Sequence, residues 1–151
     1  YEEALSLARQ IGDLFGIGSI LGCRGNLARA TGKAELAGEL IKEALTIFMQ
    51  IALGRGARIA WCLRDLAFVA CASGEPERAV RLLGAADVLQ EGTGIAVPPI
   101  SVGTIEQTLG EARRQLGEAA YAVAWSEGRA MSLTQATAYA LGPLAPVPSA
   151  S

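Results

Sequence analysis

Four residues in the stretch RIAWCLRDLAFVACA, residues 58–72, carry side chains suited to recognition chemistry. Trp61, Arg64, Asp65 and Phe68 are separated so that a helix would place all four on one face. Trp61 and Phe68 offer flat apolar platforms. Arg64 offers a forked donor for a carboxylate or a peptide backbone, and Asp65 an acceptor. Such a set binds; it does not make or break bonds. Leu63, Leu66, Ala67 and Ala70 form the packing face of the same helix. A second use of the four is equally compatible with the spacing: Trp61 and Phe68 packed beneath later helices that fill the space above them.

The rest of the sequence argues against catalysis. There is no histidine in 151 residues, which removes the commonest acid–base group and metal ligand. The three cysteines, Cys23, Cys62 and Cys71, lack CxxC spacing and read as small buried residues in a reducing cytoplasm. The carboxylate pairs Glu2/Glu3 and Glu75/Glu77 stand at helix starts, where they complement the helix dipole. No catalytic residue, metal site or cofactor is therefore expected in this fragment. The phosphate-binding pattern GxxxxGK[ST] is absent. The net charge is −2, and residues 100–151 hold three arginines, four glutamates and no lysine, so no nucleic acid is expected to bind here. No apolar run reaches the ~18 residues of a membrane span, and no signal peptide is visible, so the expected location is cytoplasmic. Tyr1 already falls in a helical pattern, as expected of a piece of a longer protein.

The elements that must position the four residues read as helices throughout. Half of the composition is hydrophobic (51%) but only 5% is aromatic, so alanine and leucine carry the core. Ala4, Leu5, Ala8 and Ile11 share a face of a first helix that ends at Gly12-Asp13. A glycine-rich second helix spans 17–30, its glycines offset by close approach of a neighbour. The third runs from Ala34 to about Ala52, with Leu36, Leu40, Ile41, Ala44, Leu45 and Phe48 as its buried stripe. The fourth covers 58–72, and the fifth opens with Pro76 in its first turn. Pro98-Pro99 mark a loop, and three more helices follow over 100–116, 118–129 and 133–141. Ser132 is the expected N-cap of the last. Trp125 and Tyr121 would anchor these helices, Gly128 would allow a close contact, and Arg129 would pair near Glu127 or cap a helix end.

The chain writes one hairpin twice, 42 residues apart. GKAELAGELIKEA (32–44) returns as GEPERAVRLLGAA (74–86), and Ile17, Leu21, Gly25 and Ala28 meet Ile59, Leu63, Ala67 and Ala70. The residue types resemble the tetratricopeptide repeat. Small residues stand on the first helix (Gly25, Ala67) and early in the second (Ala37, Ala79). A large apolar residue follows (Ile41, Leu83), then another small one (Ala44, Ala86). Over residues 1–141, GEPERAVRLLGAADVLQEGTGIAVPP and LGEAAYAVAWSEGRAMSLTQATAYAL resemble the C-terminal repeat region of large bacterial signal-transduction ATPases. That class includes LuxR-type transcriptional regulators.

The resemblance implies an all-α, TPR-like helical-hairpin solenoid of about two and a half hairpins with a three-helix C-terminal cap. Residues 1–92 would be the repeats, 93–99 a loop, 100–141 the cap packed on the repeats, and 142–151 a flexible tail or linker. In this family the first helix of each pair lines a concave groove. Trp61, Arg64, Asp65 and Phe68 would then share a groove with Asn26 and Arg29 of the preceding repeat. The occupant would be a protein or peptide partner, or a small effector, and the role a non-catalytic sensing or interaction segment of a multidomain regulator. The alternative is a self-association scaffold, a homodimerisation module of the same regulator. Any ATP or DNA chemistry would belong to other parts of such a protein.

Overall fold

The computed structural model describes residues 2–51 and 55–142, and every element among them is a helix. In chain order these are α1 (Glu2–Ile11), α2 (Leu14–Ala30), α3 (Ala34–Phe48), α4 (Arg55–Ala72), α5 (Pro76–Thr93), α6 (Pro99–Leu116), α7 (Glu118–Arg129) and α8 (Leu133–Leu141). Helices α2 and α3 form one antiparallel hairpin and α4 and α5 the next, with α3 packed on α4 between them. Helix α1 leans on α2. At the other end α6 and α7 pack on α5, while α8 lies against α3, α4 and α5. The protein is thus an all-α, TPR-like helical solenoid, as the sequence predicts.

Both hairpin turns are built alike. After α2, Gly32 takes φ +81° and the Lys33 amide donates to the Ala28 carbonyl at 2.8 Å. After α4, Gly74 takes φ +80° and the Glu75 amide donates to the Ala70 carbonyl at 2.9 Å. Only glycine reaches this left-handed geometry cheaply, and the returning amide satisfies a carbonyl the helix end would leave bare. The 42-residue copy in sequence is therefore a copy in hydrogen bonding.

The small residues are where the helices touch. Ala37, Ala44, Ala67, Ala70, Ala79 and Ala86 are all buried, around Leu21, Ile41, Leu63 and Leu83. A Cβ added at Gly25 would stand 2.5 Å from Ile41 Cγ1 and 3.3 Å from the Ala37 carbonyl oxygen. One added at Gly18 would meet Phe48 at 2.8 Å. At Gly18, Gly22 and Gly25 the low helix propensity of glycine is thus offset by close packing from neighbouring helices, as expected. The tightest crossing joins α5 to α7. A Cβ on Gly84 would lie 2.8 Å from the Trp125 carbonyl oxygen, and one on Gly128 would overlap the Arg81 carbonyl. Trp125 and Tyr121 pack beside this crossing on Val80, Ala112 and Ala124.

Helix α8 is tied at both ends. Ser132 and Gln135 form a reciprocal capping box at its start. At its finish the Arg78 guanidinium donates to the carbonyls of Tyr139 and Ala140, each at 3.0 Å, and to Gly142 at 3.3 Å. Lys42 Nζ reaches the same Gly142 oxygen at 3.0 Å. These cations meet the negative end of the helix dipole.

Several expectations need correction. Helix α2 begins at Leu14, three residues early, because Asp13 accepts the Gly16 amide at 2.9 Å and opens a helix as well as following one. Helix α3 stops at Phe48: the amides of Gln50 and Ile51 turn back to carbonyls three residues earlier, which tightens the chain out of the helix. Ala52 lies outside the described residues. Leu36 is exposed, because the buried row is Ala37, Ile41, Ala44, Leu45 and Phe48 and Leu36 falls to its side in the first turn. Ala4 and Ile11 are exposed because α1 has a neighbour on one flank only. Cys23 is exposed too, whereas Cys62 is buried and burial pushes its thiol pKa up. Arg129 pairs with Asp87 and Glu91 of α5, while Glu127 takes Arg81 at 2.9 Å. The tail expected from residue 142 lies, beyond Gly142 itself, outside the described residues.

The α5–α7 crossing yields a paired test in urea unfolding. Gly128→Ala forces a methyl group onto backbone that cannot swing aside, and should cost about 3 kcal/mol. Gly103→Ala, on an exposed stretch of α6 with nothing within 4 Å of the new Cβ, should gain about 0.5–1 kcal/mol from helix propensity. Equal effects at the two sites would refute the backbone-contact account.

Candidate functional site: the α2–α4 face

Helices α2 and α4 are the first members of their hairpins, and the six residues singled out in the sequence all lie on them. Two groups result. Asn26, Arg29, Asp65 and Phe68 form a polar bridge between the hairpins. Trp61 and Arg64 line a neighbouring cavity.

The bridge runs from α2 to α4. Asn26 Nδ2 donates to Asp65 Oδ2 at 2.7 Å, and Arg29 Nε and Nη2 donate to Asn26 Oδ1 at 3.4 Å. The Arg29 guanidinium also lies over the Phe68 ring, 5.3 Å from its centroid, a cation–π contact. Asp65 is only 5% exposed, with Phe68 nearly as enclosed. Burial pushes the Asp65 pKa up to about 6, against the opposing pull of the Asn26 hydrogen bond and the charges of Arg29 and Arg64. The carboxylate is thus a load on the fold at neutral pH, held between α2 and α4 by a neutral amide.

Trp61 sits against Gly22, where an added Cβ would come within 2.5 Å of the indole, and against Phe48, 6.2 Å between ring centroids. Its packing neighbours thus include residues of α2 and α3. The cavity beside it measures about 630 Å³, and its far wall is the segment between α5 and α6 together with the first turn of α6. Arg64 is 5% exposed and donates from Nη1 to Gln90 Oε1 at 2.8 Å. Gln90 Nε2 donates in turn to the Ile95 carbonyl at 2.7 Å, so α4, α5 and the following segment are pinned together.

Three contributors escaped the sequence reading. Phe15 falls just outside the helix predicted over 17–30, while Arg58 and Gln90 lie within predicted helices without standing out as site residues. Two of the three carry a signal in the sequence. Arg58 stands three residues before Trp61 on the same face. Gln90 interrupts the apolar row Leu83 and Ala86 with a polar side chain, and a polar residue on a buried stripe needs a partner. Among the described residues no cluster of three or more histidine, cysteine, aspartate or glutamate side chains could hold a metal ion. No helix there is long and apolar enough to cross a membrane.

Comparison with known families agrees with this geometry. Residues 16–86, which span α2 to the middle of α5, match the tetratricopeptide repeat family. That stretch is a TPR-like region, and repeats of this type generally mediate protein–protein interaction. No curated protein and no solved structure matches the chain.

The buried carboxylate makes a pH prediction. A carboxyl whose folded pKa exceeds its unfolded value near 3.8 binds its proton more tightly in the folded state, so its contribution to stability is lost as pH rises through about 6. Asp65→Asn keeps the acceptor for Asn26 and removes the titration. In urea unfolding the variant should gain on the wild type between pH 4 and pH 6.5, by about 2–3 kcal/mol at the upper end. A difference that stays constant across that range would show that Asp65 is not held in this way.

Proposed function

We propose that this protein is a non-catalytic interaction module whose working surface is the α2–α4 face. It would serve as the partner-binding or effector-sensing segment of a multidomain bacterial regulator. The observation that carries the reading is the Asn26–Asp65 bond across two hairpins, beside an open cavity. A ligand that competes for these groups also changes what holds α2 to α4. Binding would bias the relative setting of the two hairpins, and by linkage whatever is coupled to it. Arg29 and Asn26, both half-buried, are the groups best placed to exchange their present bonds for those of a peptide backbone or carboxylate. The context in a LuxR-type or ATPase regulator rests on the resemblance of GEPERAVRLLGAA and AWSEGRAMS, and a cytoplasmic setting follows from that context.

A second reading has its own observation. Leu7 and Ile11 are exposed one helical turn apart on α1, and Leu14, just past the turn into α2, is exposed as well. Exposed apolar side chains gathered at this end of the solenoid suit self-association of two copies.

Selection from a random peptide library, followed by titration of the chosen peptides, tests the first reading against the second. In a Trp125→Phe background, where Trp61 is the remaining indole, bound peptides should shift its emission. Asn26→Ala with Arg29→Ala should weaken them by about tenfold or more, roughly 1.4 kcal/mol. Peptides indifferent to those substitutions, or none selected, would refute the interaction surface. A concentration-dependent dimer abolished by Ile11→Glu would then favour the scaffold.

A further inference from the structure

Phe15, Ile95 and Ile100 are 46%, 58% and 87% exposed, large apolar side chains from distant parts of the chain. All three converge on the rim of the cavity beside Trp61. Water-facing apolar groups gathered around a concavity of this size mark a place where an apolar body is covered. The inner wall has the opposite character. The Arg64 guanidinium spends Nη1 on Gln90, while its Nε and Nη2 have no hydrogen-bond partner among the described residues. Arg58 stands at the same wall, its guanidinium 4.6 Å from the Phe15 centroid and 5.7 Å from that of Trp61. Neither arginine forms an ion pair among the described residues. Asp65, next to Arg64 in sequence, is turned toward Asn26 instead. An enclosed guanidinium with no carboxylate in direct contact, Asp65 acting on it only at a distance, is costly, and a planar carboxylate is the group its free edge fits.

The geometry points to a binding site for a small amphipathic monocarboxylate. Its carboxylate would meet Arg64 and Arg58 at depth, and its apolar tail would lie between Trp61 and the rim formed by Phe15, Ile95 and Ile100. This deepens the reading of the α2–α4 face as the working surface and rests on it, but uses residues other than Asn26 and Arg29. The site joins α2, α4 and the segment leading into α6. Its occupant would therefore fasten the cap to the repeats.

Octanoate, octanamide and inorganic phosphate are the probes, followed by calorimetry on the full chain and by Trp61 emission in the Trp125→Phe background. Octanoate should bind and shift the emission. Octanamide, which lacks the charge, and inorganic phosphate, which lacks the tail, should each bind at least about tenfold more weakly. Arg64→Met should abolish octanoate binding. Because it removes a buried charge it should remain folded, which thermal unfolding checks. The peptide-surface substitutions Asn26→Ala and Arg29→Ala should leave octanoate binding unchanged, so failure of either reading is recognised separately. Four results would each overturn the proposal: no octanoate binding, equal affinity for octanamide, equal affinity for phosphate, or full octanoate affinity in folded Arg64→Met.

Discussion

The structure depends on backbone meeting backbone where side chains are smallest. At Gly25 a hairpin closes because α3 approaches within the reach of Ile41 and the Ala37 carbonyl, and Ala67, its counterpart in α4, is fully buried. At Gly84 and Gly128 the solenoid is joined to its last helices by the same means. Close approach multiplies weak dispersion contacts and leaves little slack. With only 5% aromatic residues, the chain has few large side chains to fill gaps, so it removes the gaps. The energy of each contact is small; the constraint on geometry is large. Everything on the α2–α4 face inherits its position from that constraint.

Polar groups occupy the places where this economy of space ends. Between α2 and α4 the carboxylate of Asp65 is enclosed with one amide for company, and its pKa rises accordingly. Next to it Arg64 is enclosed with one amide of its own. Two opposite charges, one residue apart, each look in a different direction and each find a neutral partner. A fold selected only for stability would join them or replace them with apolar groups. Their separation leaves two buried charges without a direct ion pair on one surface, the feature on which the proposed binding role rests.

How much of this was legible in the sequence depends on the range of the interaction. The two hairpins, their turns and the small residues at their crossings were legible because local periodicity and a repeated pattern report them directly. Residues 32–44 and 74–86 predict each other. Helix ends were less so: Asp13 ends one helix and starts the next, and a residue with both uses gives no clean boundary. The candidate site residues could be named but not their partners. Asn26 and Asp65 are far apart in sequence, and only the stacking of hairpins puts the amide on the carboxylate. The cavity was invisible for the same reason, since Phe15, Arg58 and Ile100 come from three elements and no local pattern connects them. Arg129 was misplaced because an ion pair follows from which flank of α7 faces α5, a question of rotation that composition does not answer.

The grip on the end of α8 has a mechanical meaning. Lys42 belongs to one hairpin and Arg78 to the next, and both hold the Gly142 carbonyl. That single oxygen acts as a buckle drawing the second helices of successive repeats together along one flank. If the first helices part to admit a guest, the strain must be taken up by rotation about this fastening. Displacement would then be least near Gly142 and greatest at the far side, so the hairpins would open like a book held at its spine.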